Sequence, residues 1–358
     1  MNIDFHYGVI YVVSRLGGLD QKQAQVVAHA CQYIDDSTVP GLLKFAGGET
    51  FERFASAHQM FDYKNADNDE NRVVWAPFHF LPGAQGETLE EKALCRKNSD
   101  VAKAMVRHAL ERRSKPNGLH RLGVALHVYV DTWAHQGFSG TESKYNKLSL
   151  LVGDDHDEAT WLGRLKAAAG VAEDNMKALA LDIVSGLGHG AALHFPDMPR
   201  AKWKYVNGHG HPVERDNLPD FIEAADMACK VVQAFVAQTS NFEAQIGLPA
   251  KSKTDLKNLL GSNRDHDEGK RYDVFRESIA AGAVDGIKDV IPLYVAKGPH
   301  SWKAAATGIV AVHDDGGQKP VWTPGFETSD YRLFHDAVKE HRFVVTQEIL
   351  PAAGVRLA

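Results

Sequence analysis

The stretch from Leu119 to Gly140, LHRLGVALHVYVDTWAHQGFSG, constrains this chain more than any other. As a helix closed by Gly137, it places His120, His127, Asp131 and His135 on one face, through spacings of four and seven residues. That face must point inward. Three imidazoles and a carboxylate are costly to bury unless something pairs with them, and a metal ion is the usual partner.

His127 and His135 stand eight residues apart, about 12 Å along a helix axis at roughly 1.5 Å per residue. Bonds of about 2 Å cannot reach a single ion from both. Asp131 lies midway, so one carboxylate oxygen can serve an ion shared with His127 and the other an ion shared with His135. The spacing favours a cluster bridged by Asp131, with ions roughly 3.5–4 Å apart. The competing reading is a buried helix whose polar groups satisfy one another. His120 is the weaker member, a supporting or surface residue as readily as a ligand.

The remaining ligands must come from elsewhere. His6 lies in DFHYG with Asp4 at hand as a carboxylate partner. Asp35 and Asp36 end a helix, where paired carboxylates oppose the helix dipole and a cation would relieve them. His79 sits between two phenylalanines in FHFLPG. His194 and Asp197 lie in GHGAALHFPD, where glycines let backbone approach closely, with His189 a lesser candidate.

Around these stretches the pattern is helical. A short helix is expected over 7–16. A longer one runs from an Asp20/Gln23 capping box to Ile34. Loop is expected over 46–72 and an extended segment or loop over 73–83, where two prolines interrupt alternating apolar residues. Further helices are expected over 88–113 with a second start at Asn98 or Ser99, over 158–169 and 172–186, and from Asn217 to about Thr239. Two more fall near 253–261 and 266–281, and the last runs from Ser329 to about Leu350, stopped by Pro351. Residues 141–157, 198–216 and 282–326 read as irregular. The expected fold is therefore mainly α: a single compact multi-helix domain with long loops. A catalytic, metal-binding part covers 1–245 and a C-terminal helical extension, 246–358, packs on it.

Composition narrows the function classes. A net charge of −6 and no Lys/Arg cluster give no general grip on nucleic acid. Cys31, Cys95 and Cys229 are too scattered for a disulfide framework or a cysteine zinc site, and read as buried thiols. MNIDFHYGVIYVV lacks a basic leader, and no apolar run reaches the roughly 18 residues of a membrane span. The expected location is the cytoplasm as synthesised, with signal-independent export left open. Histidine is abundant, at 18 residues, and its placement carries the reading above.

Taken in order, DFHYGVIYV, QYIDD, FHFLPG, LHVYVDTWAHQGFSG and GHGAALHFPD resemble an uncharacterised bacterial family. That family is in turn similar to bacterial zinc phospholipases C, within the superfamily of helical zinc-dependent phospholipases C and single-strand nucleases. The resemblance covers roughly residues 1–240. It implies two or three zinc ions in a cleft among helices, and a metal-bound water that attacks a phosphodiester. By position it implies His6 as the N-terminal His ligand, Asp35 or Asp36 as the early Asp, and His79 as the next His. His127 with Asp131 matches the HxxxD pair, His135 the following His, and His194 with Asp197 the last pair. In the better-known enzymes of the superfamily the N-terminal amine is itself a ligand, whereas here residues 1–5 precede His6. The Asp131–His135 and His194–Asp197 gaps are also shorter than the pattern.

The expectation is a metal-dependent phosphoric ester hydrolase, phospholipase C-like. Asp36 would serve as a metal ligand, and whichever of Asp35 and Asp36 is free of metal as general base. Trp75, Phe78, Phe80 and Trp133 would wall the cleft or pack the core. Expected partners are a phospholipid or other phosphodiester and a transient membrane-surface contact, with no stable nucleic acid partner. The alternatives are a nucleotide or single-strand nucleic acid phosphoesterase and a non-catalytic, metal-stabilised binding or toxin-accessory protein. Trp302, Trp322, His335 and His341, in the last third, would cover the cleft or form an interaction surface, the two histidines being structural or solvent-exposed.

Overall fold

The computed structural model describes residues 1–58, 68–153, 188–312 and 319–357. The helices expected over 158–169 and 172–186 lie outside these residues, as does 59–67 of the expected loop. The chain opens with a π-helical turn, Asp4–Val9, that passes directly into α1, Ile10–Leu16. Asp20 then starts α2, Gln21–Asp36, with the expected capping box: its carboxylate accepts the Gln23 N–H at 2.9 Å, and the Gln23 side chain accepts the Asp20 N–H at 3.1 Å. Strands β1, Gly41–Lys44, and β2, Thr50–Arg53, follow. Next come α3, Asn68–Phe78, α4, Leu89–Lys92, α5, Asp100–Glu111, and α6, Gly118–Ala134. Of the two candidate starts for α5, Ser99 is the cap, accepting the Ala102 N–H at 3.2 Å.

Beyond α6 lie β3, Leu148–Gly153, β4, Lys202–Asn207, and β5, Pro212–Asp216. The remainder is helical: α7, Asn217–Val236, α8, Ala250–Ser262, α9, Glu268–Ala281, α10, Trp302–Thr307, and α11, Asp330–Phe343. A second π-helical turn, Val344–Ile349, leads into α12, Leu350–Ala352, so Pro351 falls inside the final turn. None of these helices is long and apolar enough to cross a membrane.

Helices dominate, but the expected mainly α domain is corrected to a mixed one. Among the described residues, five strands make two antiparallel sheets, β1–β2 and β3–β4–β5. The second sheet occupies stretches expected to be irregular. In β4, Trp203 and Tyr205 face inward and Lys202 and Lys204 outward, the two-residue period of a half-buried strand. Asn207–Gly210 makes the tight turn to β5, in which Pro212 sits at the strand start. Residues 73–78 are also corrected: Val73 to Phe78 finish α3 as helix, with Pro77 inside it and lacking the N–H that would bond the Val73 carbonyl, while 79–83 are non-helical.

α6 is the central helix. Every residue from His120 to His135 is buried, the pattern of a helix packed on all sides. α2, α5, α7 and α11 surround it. Gly123 sets the closest of these contacts, because a Cβ there would lie 2.4 Å from the Val27 carbonyl oxygen and 3.0 Å from the Cys31 nitrogen. Residues beyond 245 enter the same apolar core, among them Leu256, Phe275, Phe334 and Val345. A second apolar cluster of Phe80, Phe138, Phe195, Trp203 and Tyr205 lies against the small sheet, next to the C-terminal end of α6. The three cysteines are free and buried.

Candidate metal centre

Five segments deliver side chains to one place. The first π-helical turn brings His6, the end of α2 brings Asp35, and His79 follows the end of α3. α6 brings His127, Asp131 and His135, and the loop before β4 brings His189 and Asp197. Three groups of possible ligands result, each with its donor atoms within 4.8 Å of one another: Asp35, His79 and His127; His135, His189 and Asp197; His6, Cys31 and His127.

Asp131 joins them. Its Oδ1 lies 3.1 Å from His6 Nε2, and its Oδ2 lies 3.3 Å from His127 Nε2, 3.5 Å from His135 Nδ1 and 3.7 Å from His79 Nδ1. The carboxylate thus spans His127 and His135 as the spacing demanded, but a single oxygen faces both. The other is drawn to His6 and to the α-amine of Met1, which donates to it at 2.7 Å. Asp131 Oδ2 and His6 Nε2 are buried without a hydrogen-bond partner, a costly condition that a cation would end.

The ring nitrogens have assigned roles, because a backbone carbonyl can only accept. His79 Nε2 donates to Ser56 O at 2.9 Å, His135 Nδ1 to His79 O at 2.7 Å and His189 Nδ1 to Leu193 O at 3.2 Å. Where such a ring is neutral, the opposite nitrogen is a lone pair aimed at a carboxylate; at His189 burial works against the charged ring but Asp197 raises its pKa, so a proton and an ion compete for that nitrogen. His135 Nε2 lies 3.0 Å from Asp197 Oδ1, His189 Nε2 lies 3.2 Å from Asp197 Oδ2, and His79 Nδ1 lies 3.7 Å from Asp35 Oδ1. Acceptor facing acceptor needs a positive charge between them. Anchoring one histidine nitrogen on a carbonyl is also how proteins orient metal-ligating imidazoles.

Electrostatics agree with this geometry. Burial alone would oppose ionisation of Asp131, yet His135, the Met1 amine, His6 and His127 hold its carboxyl well below the usual range. Asp197 is held low in the same way by His189 and the Met1 amine, against its own burial. Burial lowers His6 to about 4 and also depresses His127 and His135, so these rings are neutral and able to ligate at pH 7. Asp35 is pushed well above the carboxylate range by burial and by Asp131, Asp36 and Asp197, with the Met1 amine opposing. The Met1 α-amine, fully buried 2.7 Å from Asp131 and 3.1 Å from Asp197, is raised to about 11: burial works against its charge and the carboxylates overcome it. Hydrogen bonds from the Phe5 and His6 N–H groups to Asn2 O, both 2.9 Å, turn the five residues before His6 back so that the amine reaches the cluster. An ammonium therefore sits where the carboxylates collect positive charge, and the N- and O-rich donor set suits zinc.

The structure gathers His6, His79, His127, Asp131, His135 and Asp197 as expected, and separates others. His194 stands outside the three groups, stacked on Phe195 with centroids 5.1 Å apart; His189 takes its place at Asp197. Asp36 is also outside them and accepts from Tyr294 Oη at 2.7 Å, leaving Asp35 as the carboxylate of the pair that reaches the cluster. Asp4 does not serve His6; it pairs in the interior with Arg271 at 2.8 Å. His6 has instead Cys31 Sγ, 3.5 Å from Nδ1, a residue the sequence reading set aside. Its signal was present, since Cys31 and Asp35 repeat on α2 the four-residue spacing of α6. His120 lies away from the cluster and holds Asp330 of α11 at 2.9 Å. Phe80 stacks on His135 at 4.7 Å and Trp75 leans on His79 at 5.0 Å, whereas Trp133 and Phe78 are core. Arg215 supports the C-terminal end of α6, donating to Trp133 O at 2.9 Å and Ala134 O at 3.3 Å.

Comparison with known proteins gives one family, the Family of unknown function (DUF6765), whose model matches residues 1–349. Among curated proteins and among solved structures nothing matches.

Proposed function

The chain belongs to that family, and from this premise we propose that it is a zinc-dependent hydrolase of phosphoric esters, a phospholipase C-like phosphodiesterase. The observation that carries the reading is the set of three histidines, His79, His135 and His189, each fixed on a backbone carbonyl and each turning its other nitrogen toward a carboxylate. His6, Asp35, His79, His127, Asp131, His135, His189 and Asp197 would hold roughly two or three zinc ions. Bound zinc supplies Lewis acidity, bringing the pKa of coordinated water toward neutrality and drawing in phosphate oxygens.

The chain's own residues supply the rest. Asp131, 1% exposed, ties the ligand groups together, while Asp35, its side chain 33% open to solvent, would ionise and orient an incoming water once a bound cation offsets the burial and neighbouring carboxylates that now keep its proton on. Trp75 and Phe80 hold His79 and His135 in place. Phospholipid is the favoured substrate through the resemblance of the five motifs, and a net charge of −6 disfavours long nucleic acid. The complete burial of His6 and His127 favours a second reading, in which the ions staple helices together without turnover.

Metal analysis of the purified protein, with a panel of phosphatidylcholine, a bis-aryl phosphate and single-stranded DNA run with and without chelator, tests both readings. Chelator-sensitive hydrolysis of the lipid is expected. Asp131→Asn should release roughly one zinc equivalent and lower turnover on the order of 10³-fold. Full zinc content with no turnover of any substrate would favour the stapling role, and a folded protein devoid of metal would defeat both.

A further inference from the structure

A cleft lies elsewhere in the molecule. The end of α5, the start of α6, α11 and the second π-helical turn enclose a cleft of about 880 Å³, lined by none of the metal-centre residues. That volume is in the range of small-ligand sites, roughly 300–1,000 Å³. Its lining is mostly cationic. Arg112, Lys115, Arg121, Lys339 and Arg342 face it, against the single carboxylate of Glu340.

Among the described residues, few carboxylates answer the charge of Arg112, Lys115, Arg121 and Lys339. Glu340 is committed to Arg121 and also accepts from Asn117 Nδ2 at 3.3 Å. Lys339 reaches Glu52 at 3.6 Å across an exposed surface, a pair of little strength. Arg112 and Lys115 have no ion-pair partner among the described residues. Arg342 and Lys339 lie over the Phe54 ring, 4.8 and 5.2 Å from its centre, so their heads are held toward the cleft and not left to wander.

The floor is built and buried. Arg121 is 5% exposed, and its Nε has no hydrogen-bond partner; nor does the buried Nε2 of His108, whose Nδ1 lies 3.2 Å from Arg121 Nη2. A desolvated guanidinium that keeps an unpartnered N–H after pairing with Glu340, beside a second arginine, is a poor arrangement for stability. It is a good arrangement for an anion. Guanidinium forks match phosphate oxygens in pairs, and the spread of cations across the cleft suits more than one phosphate group.

We propose that this cleft binds a phosphate-bearing anion, independently of the metal centre. The ligand chemistry is a di- or polyphosphate, or the phosphate of an anionic lipid headgroup. The site stands whether or not the metal centre hydrolyses phosphoric esters.

Inorganic pyrophosphate, followed by titration calorimetry, and vesicles of phosphatidylcholine with and without phosphatidic acid, followed by co-sedimentation, are the probes. The full chain is compared with Arg112→Gln/Lys115→Gln, two exposed positions outside the core. A control, Lys202→Gln/Lys204→Gln on β4, removes the same charge elsewhere. Saturable binding of either probe, weakened roughly tenfold or more by the cleft substitutions and not by the control, is the expected result. Pyrophosphate alone would identify a soluble anion as the source, and phosphatidic acid alone a lipid. Phosphate held at the metal centre would persist in the cleft variant, so an isotherm unchanged by Arg112→Gln/Lys115→Gln overturns the proposal. Equal weakening by the control, or no saturable binding of either probe, overturns it as well.

Discussion

At Asp197 two histidines compete in the sequence and one wins in space. His189 and His194 both stand near it in GHGAALHFPD, and the sequence favours His194. The choice is made by the backbone between them, where Leu193 takes a φ of +60° and its carbonyl accepts from His189 Nδ1. Such a turn is a tertiary outcome, invisible to periodicity. The two residues are therefore separable by experiment. His189→Ala should lose roughly one zinc equivalent, or at least 10–100-fold in zinc affinity, measured by competition with a chromogenic chelator. His194→Ala should keep its zinc, and equal loss from both variants would mean the Asp197 group is misassigned. The pair Asp35 and Asp36 repeats the lesson with a clearer clue. Adjacent helical residues point about 100° apart, and counting four from Cys31 selects Asp35.

Between elements, the approach of α2 to α6 decides whether the cluster forms at all. Cys31 and Asp35 on one helix can meet His127 and Asp131 on the other only because Gly123 admits the α2 backbone. The obstruction created by a side chain would be backbone, which cannot rotate aside. Gly123→Val should destabilise the fold by about 1–3 kcal/mol, read as a lower Tm, and should weaken zinc binding with it. A variant that kept wild-type Tm would show that the helices can separate without cost. α6 itself was legible because its polar residues repeat every four positions in an apolar run. The small sheet was not: KWKYVN is too short for alternation to stand out, and Gly and Pro around it argued for loop. Pro77 misled in the same way: with Pro82 it made an apolar stretch read as extended or loop, whereas the helix runs through it to Phe78.

Across the whole molecule, buried histidines outside the metal centre set the response to acid. Burial brings His29 and His335 to about 3 and His341 to about 4. The unfolded chain protonates these rings near 6.5, so between there and about 3–4 it binds more protons than the fold does. Stability is then complete above pH 6.5 and falls as pH drops through that window, by about 1.4 kcal/mol per pH unit for each ring. Denaturant unfolding followed from pH 7 to 4 should show this slope. His29→Gln, which removes one ring that stacks on Trp302 at 3.8 Å, should flatten it by one proton's worth, and an unchanged slope would show His29 already charged in the fold. His335 and His341, which the sequence left as structural or exposed, are structural: Phe54 N–H donates to His335 Nδ1 at 3.3 Å, and His341 Nε2 donates to Pro77 O at 2.9 Å.

The buried ion pair of Asp4 with Arg271 bridges 267 positions of sequence. Asp4 opens the turn that carries His6, so the earliest-made ligand has its anchor among residues made much later. Closing so long a loop is slow and comes late in folding. During synthesis the first turn must wait, without its partner, until most of the chain has left the ribosome. Assembly of the centre is in this sense a check on completion: a ribosome that stalls before α9 releases a chain in which the turn carrying His6 lacks its Arg271 anchor.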